Sequence, residues 1–354
     1  MFFDLIPLHI IMSVKKSKLL HLIERKNMNN KYTIIPLSIA TLGLILIGCN
    51  SGSGSSPQPK NTYAYITNPG ENSYTQCKIG TNGIESDTCV TITPTGLGAL
   101  NSPLGVGFSG SYAYFSNFGN NSYTQCSMGT NGIESNTCMT ITPTGSGALT
   151  NTSSVTLNAG YAYFTNSDQS YTQCSVGTNG IESDTCVTTV PDSPGNLNNP
   201  LGLIFKGKYA YFSNYNNNSY TQCLVGTNGI ESTTCVTTTP SAPGALNGPD
   251  DVTFNGNYIY FVNMNGGSYT QCLAGVNGIE SDTCETTTTS QGALNGPRGF
   301  RFSGNYAYFT NTIGNSYIQC QAVADGIVAN SCVTITPTAT GALSTPSGLG
   351  IYTW

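Results

Sequence analysis

Charged side chains are scarce in this chain: Asp, Glu, Lys and Arg together make up 8% of its 354 residues. Histidine is scarcer still, because both copies, His9 and His21, precede Cys49 and none follows it. That absence removes Ser-His-Asp and Cys-His catalysis, His-ligated metals and the usual general base near neutral pH from the rest of the chain. After Cys49 six basic side chains (Lys60, Lys78, Lys206, Lys208, Arg298, Arg301) stand against fifteen acidic ones, a formal charge near −9. Such a base-poor, acidic surface argues against nucleic acid as a partner. It also gives no electrostatic attraction to anionic lipid. No Gly-rich phosphate loop runs into a helix, and no helical pattern follows Cys49. One long apolar run is present, from Tyr32 to Gly48.

That run follows Met28-Asn-Asn-Lys31 and ends Thr41-Leu-Gly-Leu-Ile-Leu-Ile-Gly-Cys49. A short basic start, an apolar stretch and small residues before a cut site describe a secretory signal. A retained membrane helix is the alternative, but the run is about the minimum length for spanning and holds Pro36. Leu46-Ile47-Gly48-Cys49 resembles the bacterial lipobox, which implies that Cys49 is diacylated and becomes the new N-terminus. Residues 1–48 are therefore expected to be removed, with Met28 the better start, and residues 49–61 to form a lipid-bearing Cys49 plus a flexible Gly/Ser/Pro tether. Asn50 is not the Asp that resembles an inner-membrane retention signal, so the implied address is the outer membrane, on its periplasmic side or at the cell surface. The lipid would be the protein's membrane contact.

The other twelve cysteines form six pairs, each twelve residues apart, recurring every 48 or 49 residues: Cys77/Cys89, Cys126/Cys138, Cys174/Cys186, Cys223/Cys235, Cys272/Cys284 and Cys320/Cys332. A glycine after Asn or Asp sits midway in every pair (Gly83, Gly132, Gly180, Gly229, Gly278, Gly326), the dipeptide that favours a tight hairpin turn. Each pair thus straddles a hairpin. In an exported protein such cysteines bond, whereas a zinc site needs four close ligands. Six disulfides are expected.

One repeat carries four strand signals: Leu201–Phe205 (A), Tyr209–Asn214 (B), Ser219–Cys223 (C) and Thr234–Thr239 (D). Four-strand units of this length, repeated, describe an all-β propeller in which each unit is a blade. Strand B occurs six times, starting at Tyr63, Tyr112, Tyr161, Tyr209, Tyr258 and Tyr306. The first B lacks a preceding A, and Gly348–Trp354 reads as an A strand with nothing after it. Residues 62–354 are therefore expected to be a six-bladed propeller of four antiparallel strands per blade, closed by residues 348–354 joining the N-terminal blade. A linear array or seven blades are the alternatives.

Pro200-Leu-Gly-Leu-Ile-Phe205 running into Tyr209-Ala-Tyr-Phe-Ser-Asn214 is similar to NHL-type propeller repeats. Tyr63-Ala-Tyr-Ile-Thr-Asn68 resembles the YVTN-type repeats of bacterial surface propellers and lactonase-like propellers. The resemblance implies a propeller and leaves function open, since such propellers host binders and enzymes alike.

Tyrosine recurs three times per blade, including Tyr74, Tyr123, Tyr171, Tyr220, Tyr269 and Tyr317 on strand C. Packing between blades, with hydroxyls on polar groups, is preferred over sugar stacking. Asn ends every B strand (Asn68, Asn117, Asn166, Asn214, Asn263, Asn311), and Leu-Asn-x-Pro enters four A strands at Asn101, Asn198, Asn247 and Asn295. These ring one face, either satisfying turn backbone or forming a polar binding surface. The repetition breaks at the position after that proline, where the six blades read Leu104, Ser153 (after Thr152), Leu201, Asp250, Arg298 and Ser347. Asp250, Asp251, Arg298 and Arg301 are therefore candidate ligand-binding residues, with Asn247. An interblade ion pair is the plain alternative.

The preferred reading is a non-enzymatic, membrane-anchored exported lipoprotein that presents a propeller scaffold to an envelope protein or glycan, as a monomer and without a cofactor. The runner-up is a calcium-dependent hydrolase, implied by likeness to propeller lactonases that hold Ca²⁺ in the channel, with Asp250, Asp251 and Asn247 as oxygen ligands.

Overall fold

The computed structural model of the protein describes residues 61–289 and 293–354. The expected signal, the lipid-bearing Cys49 and almost all of the tether lie outside the described residues. What is described is all-β: six antiparallel sheets, one per repeat, arranged as a six-bladed propeller.

In the fourth blade strand A runs Pro200–Lys206, B Tyr209–Asn214 and C Ser219–Gly226. Strand D differs from the expectation. It is split into Gly229–Ile230 and Val236–Thr238, with a 3₁₀ turn at Ser232–Thr234 between them. The register shows why. Val225 faces Ile230 but Gln222 faces Val236, so D carries three extra residues opposite Cys223. The turn absorbs them, and the Thr234 hydroxyl replaces the missing ladder partner by accepting from Leu224 N (2.8 Å) and donating to Glu231 O (2.7 Å). A Thr or Ser before the second cysteine does the same in every blade.

The surplus also corrects the expected setting of the second cysteine, which the sequence placed inside strand D. Cys89, Cys138, Cys186, Cys235 and Cys332 instead end the 3₁₀ turn, just ahead of the outer piece of the strand. In the fifth blade D is one strand, Gly278–Thr287, yet Cys284 sits at its register slip, between Glu280 opposite Leu273 and Glu285 opposite Gln271. No second cysteine therefore has a ladder partner, and the disulfide supplies the cross-strand link at that point.

The pairing itself is as expected. Cys77 bonds Cys89, Cys126 bonds Cys138, Cys174 bonds Cys186, Cys223 bonds Cys235, Cys272 bonds Cys284 and Cys320 bonds Cys332, with Cα atoms 4.0 to 4.1 Å apart. All twelve sulfurs belong to buried residues, and so many bonded pairs mark an extracytoplasmic protein.

Closure occurs as the orphan strand predicts. Leu349–Thr353 pairs antiparallel with Thr62–Asn68, from Thr62 opposite Thr353 to Ile66 opposite Leu349. The six inner strands touch in cyclic order, the last returning to the first.

The hydrophobic core is divided among the six junctions between blades. At each of five junctions a strand-C tyrosine packs its ring on the next blade's strand-B phenylalanine, as Tyr74 does on Phe115 at 5.1 Å between centroids. The closing junction joins Tyr317 to Ile66 instead. Strand-C Tyr123, Tyr171 and Tyr317 donate hydroxyls to carbonyls of the next blade. The second strand-B tyrosine departs from the expectation: Tyr65, Tyr114, Tyr163, Tyr260 and Tyr308 bury their hydroxyls with no partner.

A clasp that the sequence reading overlooked ties the blades at their outer edge. The Gln before each first cysteine reaches the Asn-Gly or Asp-Gly turn of the next blade, as Gln76 Nε2 donates to Asn131 O at 2.8 Å. It recurs around the ring, ending with Gln319 on Asn82 O at 2.9 Å. The turn glycine has a second role here beyond its positive φ. A Cβ on Gly132 would collide with the Gln76 carboxamide.

Candidate functional site

Strand A of five blades begins with a bulge. In blade four Pro200 faces Asn214, but Leu203 faces Phe212, so the register slips at Leu201-Gly202. The same slip falls between Pro103 and Gly105, Thr152 and Val155, Pro249 and Val252, and Pro297 and Phe300. A bulge re-aims the side chain it holds. Here it turns the second residue of strand A toward the axis, so that Leu104, Ser153, Leu201, Asp250 and Arg298, with Ser347 ahead of the closing strand, line one central throat. Glycines that follow in four blades let the inner strands close in. A Cβ on Gly202 would stand 2.9 Å from the Asp251 Cα of the next strand. The throat is accordingly narrow, with a free volume of about 40 Å³.

The four expected charges meet in it as two ion pairs. Arg301 Nη1 lies 2.7 Å from Asp251 Oδ2, and the same oxygen accepts from Phe300 N at 2.9 Å. Val252 N donates to Asp251 Oδ1 at 2.8 Å. This pair is closed, and both Asp251 oxygens are used. The other pair is open. Arg298 Nε stands 3.7 Å from Asp250 Oδ2, too far for a hydrogen bond, and both atoms are buried without a hydrogen-bond partner. Burial pushes the Asp250 carboxyl up to about 6; Arg298 opposes that shift and Asp251 adds to it. Ser153, only 6% exposed, is a third throat residue whose Oγ has no partner.

Asn247 does not join this group. It is exposed, its backbone N–H donates to Asn263 Oδ1 at 3.1 Å, and its side chain lines neither the throat nor the mouth above it. The Asn residues ending strand B are not a presented surface either. All six are buried and accept from backbone N–H groups of the D-to-A connections, as Asn117 Oδ1 does from Asn101 N at 3.2 Å. The six disulfides, from Cys77–Cys89 to Cys320–Cys332, join the two outer strands of each blade and line neither cavity.

Above the throat opens a mouth of about 480 Å³, whose lining from the B-to-C turns sequence reasoning did not identify. The residue after each buried Asn lines it: Pro69, Phe118, Ser167, Tyr215, Met264 and Thr312. Leu104, Ser153, Leu201 and Arg298 are shared by mouth and throat, so the two form one funnel. Arg298 is the charged residue among those lining the mouth. A signal was there to be read, since the B-to-C turns vary from repeat to repeat while Asn-Gly-Ile-Glu-Ser is kept in five of six C-to-D turns.

The residues do not fit a calcium ion. Asp251 is engaged by a guanidinium and two backbone N–H groups, Asp250 faces a second guanidinium, and Asn247 stands apart. Among the described residues no group of three His, Cys, Asp or Glu gathers to hold a metal.

No protein-family model and no curated protein sequence matches the chain, so the NHL- and YVTN-type likeness has no family match behind it. Solved structures do resemble it. A chain of the nidogen–laminin complex superposes with a TM-score of 0.59 at 14% identity, covering 82% of this chain and 98% of that one. A 6-phosphogluconolactonase candidate from Bacteroides uniformis gives 0.57 at 13%, covering 83% and 100%. The periplasmic gluconolactonase of Pseudomonas aeruginosa gives 0.52 at 13%, covering 82% and 98%. At such identities the likeness establishes a shared β-propeller fold and no shared activity.

Proposed function

We propose that the protein is an exported, lipid-anchored lipoprotein that presents a rigid propeller as a non-enzymatic binding scaffold in the cell envelope. The funnel face is its binding surface, and an envelope protein or glycan is its partner. One observation carries this reading: the repeats diverge where they line the funnel. Strand C reads Ser-Tyr-Thr-Gln-Cys in five blades, yet the residue after the strand-B Asn and the second residue of strand A vary around the ring. These varying positions converge on one cavity, where a partner-specific surface can be built without disturbing the blades. The lactonase-like alternative draws on shared fold alone, and of its proposed calcium ligands Asp251 is taken by Arg301, Asp250 faces Arg298 and Asn247 stands apart.

A thermal-shift series on the exported chain tests this, with EDTA, Ca²⁺, lactones and envelope glycans, beside Asp250→Ala. A ligand that binds the folded state raises the melting temperature by mass action. The scaffold reading expects no response to Ca²⁺ and a rise with an envelope macromolecule. A Ca²⁺-dependent rise that Asp250→Ala abolishes would sink it in favour of the hydrolase. For the anchor, Cys49→Ser should release the protein from the membrane fraction, and retention there would refute lipidation at Cys49.

A further inference from the structure

We propose that the funnel is a receptor for a small organic monocarboxylate, with Arg298 holding the carboxylate and the apolar side of the mouth holding its hydrocarbon or aromatic body. This goes beyond the scaffold reading by adding a small-molecule site to the same face, and rests on that reading for the choice of face.

Arg298 lacks a closed partner. Its guanidinium makes no hydrogen bond to any described residue, and its Nε is buried without a partner. Buried charged donors are ordinarily satisfied, and one left open at the base of a cavity is aimed at something. Two further unpartnered atoms open on the same throat, Asp250 Oδ2 and Ser153 Oγ, the latter on a side chain 6% exposed. Cyclic order of the inner strands puts the Ser153 blade across the ring from the Arg298 blade, flanked by the blades of Leu104 and Leu201. Phe118 and Tyr215 sit above those two leucines on the same blades. The mouth thus has a cationic base on one side and, on the other, the apolar Leu104, Phe118, Leu201 and Tyr215 ring interspersed with hydroxyls of Ser102, Ser153 and Ser167.

Charge selects the ligand class. A cation would meet Arg298, while Asp251 is already closed by Arg301. Inorganic phosphate, partly divalent at pH 7.5 and monovalent at pH 5.5, brings no hydrocarbon body to the apolar side of the mouth. A carboxylate carries one charge and matches a guanidinium fork. The roughly 480 Å³ mouth has room for an organic body of benzoate or hexanoate size and larger. Asp250 competes for Arg298 while ionised, so its protonation frees the site. The charged groups facing it are Arg298 and Asp251, the latter held by Arg301, and burial raises its pKa to about 6. Binding should therefore tighten as pH falls through that value.

Titration calorimetry of the full exported chain with phenylacetate, benzyl alcohol and inorganic phosphate, at pH 7.5 and pH 5.5, is the test. Expected is one site for phenylacetate, tighter at the lower pH, with benzyl alcohol and phosphate weaker by roughly tenfold or more. Arg298→Gln should lose that preference, and Asp250→Asn at pH 7.5 should reach the affinity of the parent at pH 5.5. Absence of saturable phenylacetate binding, equal binding of benzyl alcohol or phosphate, or an unchanged affinity in Asp250→Asn overturns the proposal. The Asp250→Asn arm keeps Arg298 in place, so it decides even if Arg298→Gln fails to fold. A glycan or protein that binds while phenylacetate does not leaves the scaffold reading standing, whereas a Ca²⁺ response defeats that reading separately.

Discussion

At the throat a single carboxyl ties stability to pH. Asp250 has its pKa raised above the ordinary carboxylate value by burial, to about 6, so the folded state binds its proton more tightly than the unfolded chain does. The contribution is therefore full below the unfolded pKa and fades as pH rises through about 6, amounting to up to about 3 kcal/mol. Denaturant melts of the parent and Asp250→Asn between about pH 4 and pH 7 should diverge, the parent losing ground as pH rises; parallel curves would show that the carboxyl is solvated. The orphaned phenols are a second residue-scale case. Tyr163 is fully buried with an unpartnered hydroxyl, whereas Tyr123 donates to Ile181 O at 3.3 Å. Tyr163→Phe should be neutral or stabilising by about 1 kcal/mol and Tyr123→Phe destabilising by a similar amount. Equal losses in the two would mean that Tyr163 has a water partner.

The outer strand shows how an element is made where the ladder fails. Strand D is broken by three surplus residues, and a hydroxyl, a 3₁₀ turn and a disulfide replace the regular pairing. Each bridge closes a loop with a sequence separation of 12. Replacing both Cys223 and Cys235 with Ser should lower stability by about 3 kcal/mol, less any strain relieved. Five of the disulfides are also covered by the connection that enters their blade. A Cβ on Gly195 would strike Cys235, and the same holds for Gly98 at Cys138, Gly147 at Cys186, Gly244 at Cys284 and Gly341 at Cys89. In the sixth, Cys332 is itself buried. Mild reductant should therefore leave the folded protein's thiol count near zero until denaturant is added. Free thiols in native buffer would show that the covering glycine loops open. The alternation of Tyr, Thr and Cys made strands B and C legible with their ends within a few residues. The split in D was not, because a three-residue surplus is a property of pairing between two strands and neither strand shows it alone.

On the scale of the whole molecule, stability depends on an unbroken ring. Closure rests on five backbone pairings between Thr62–Ile66 and Leu349–Thr353, one shared core and the Gln319 clasp on Asn82. Deleting residues 349–354 should expose an edge on strand B of the first blade and empty part of two junctions. Size-exclusion chromatography should then show association or aggregation, with a broadened thermal transition. A monomer melting as sharply as the parent would mean that the ring does not need its closing strand.

Much of this protein is determined by local sequence. The cysteine spacing, Asn-Gly turns and orphan terminal strand specify blade count, disulfide pairing and closure, because each depends on contacts within one repeat or on a count of repeats. The sequence also indicated that Asp250, Asp251, Arg298 and Arg301 share a channel entrance. Which charges are closed and which open was decided by tertiary structure alone. A bulge turns the post-proline side chains inward, close strand approach narrows the throat, and Asp251 spends its oxygens on Arg301 and on backbone N–H groups, one of them from the neighbouring strand. The mouth is likewise a tertiary property, since it forms where six turns far apart in sequence converge around one axis and no repeat encloses it by itself.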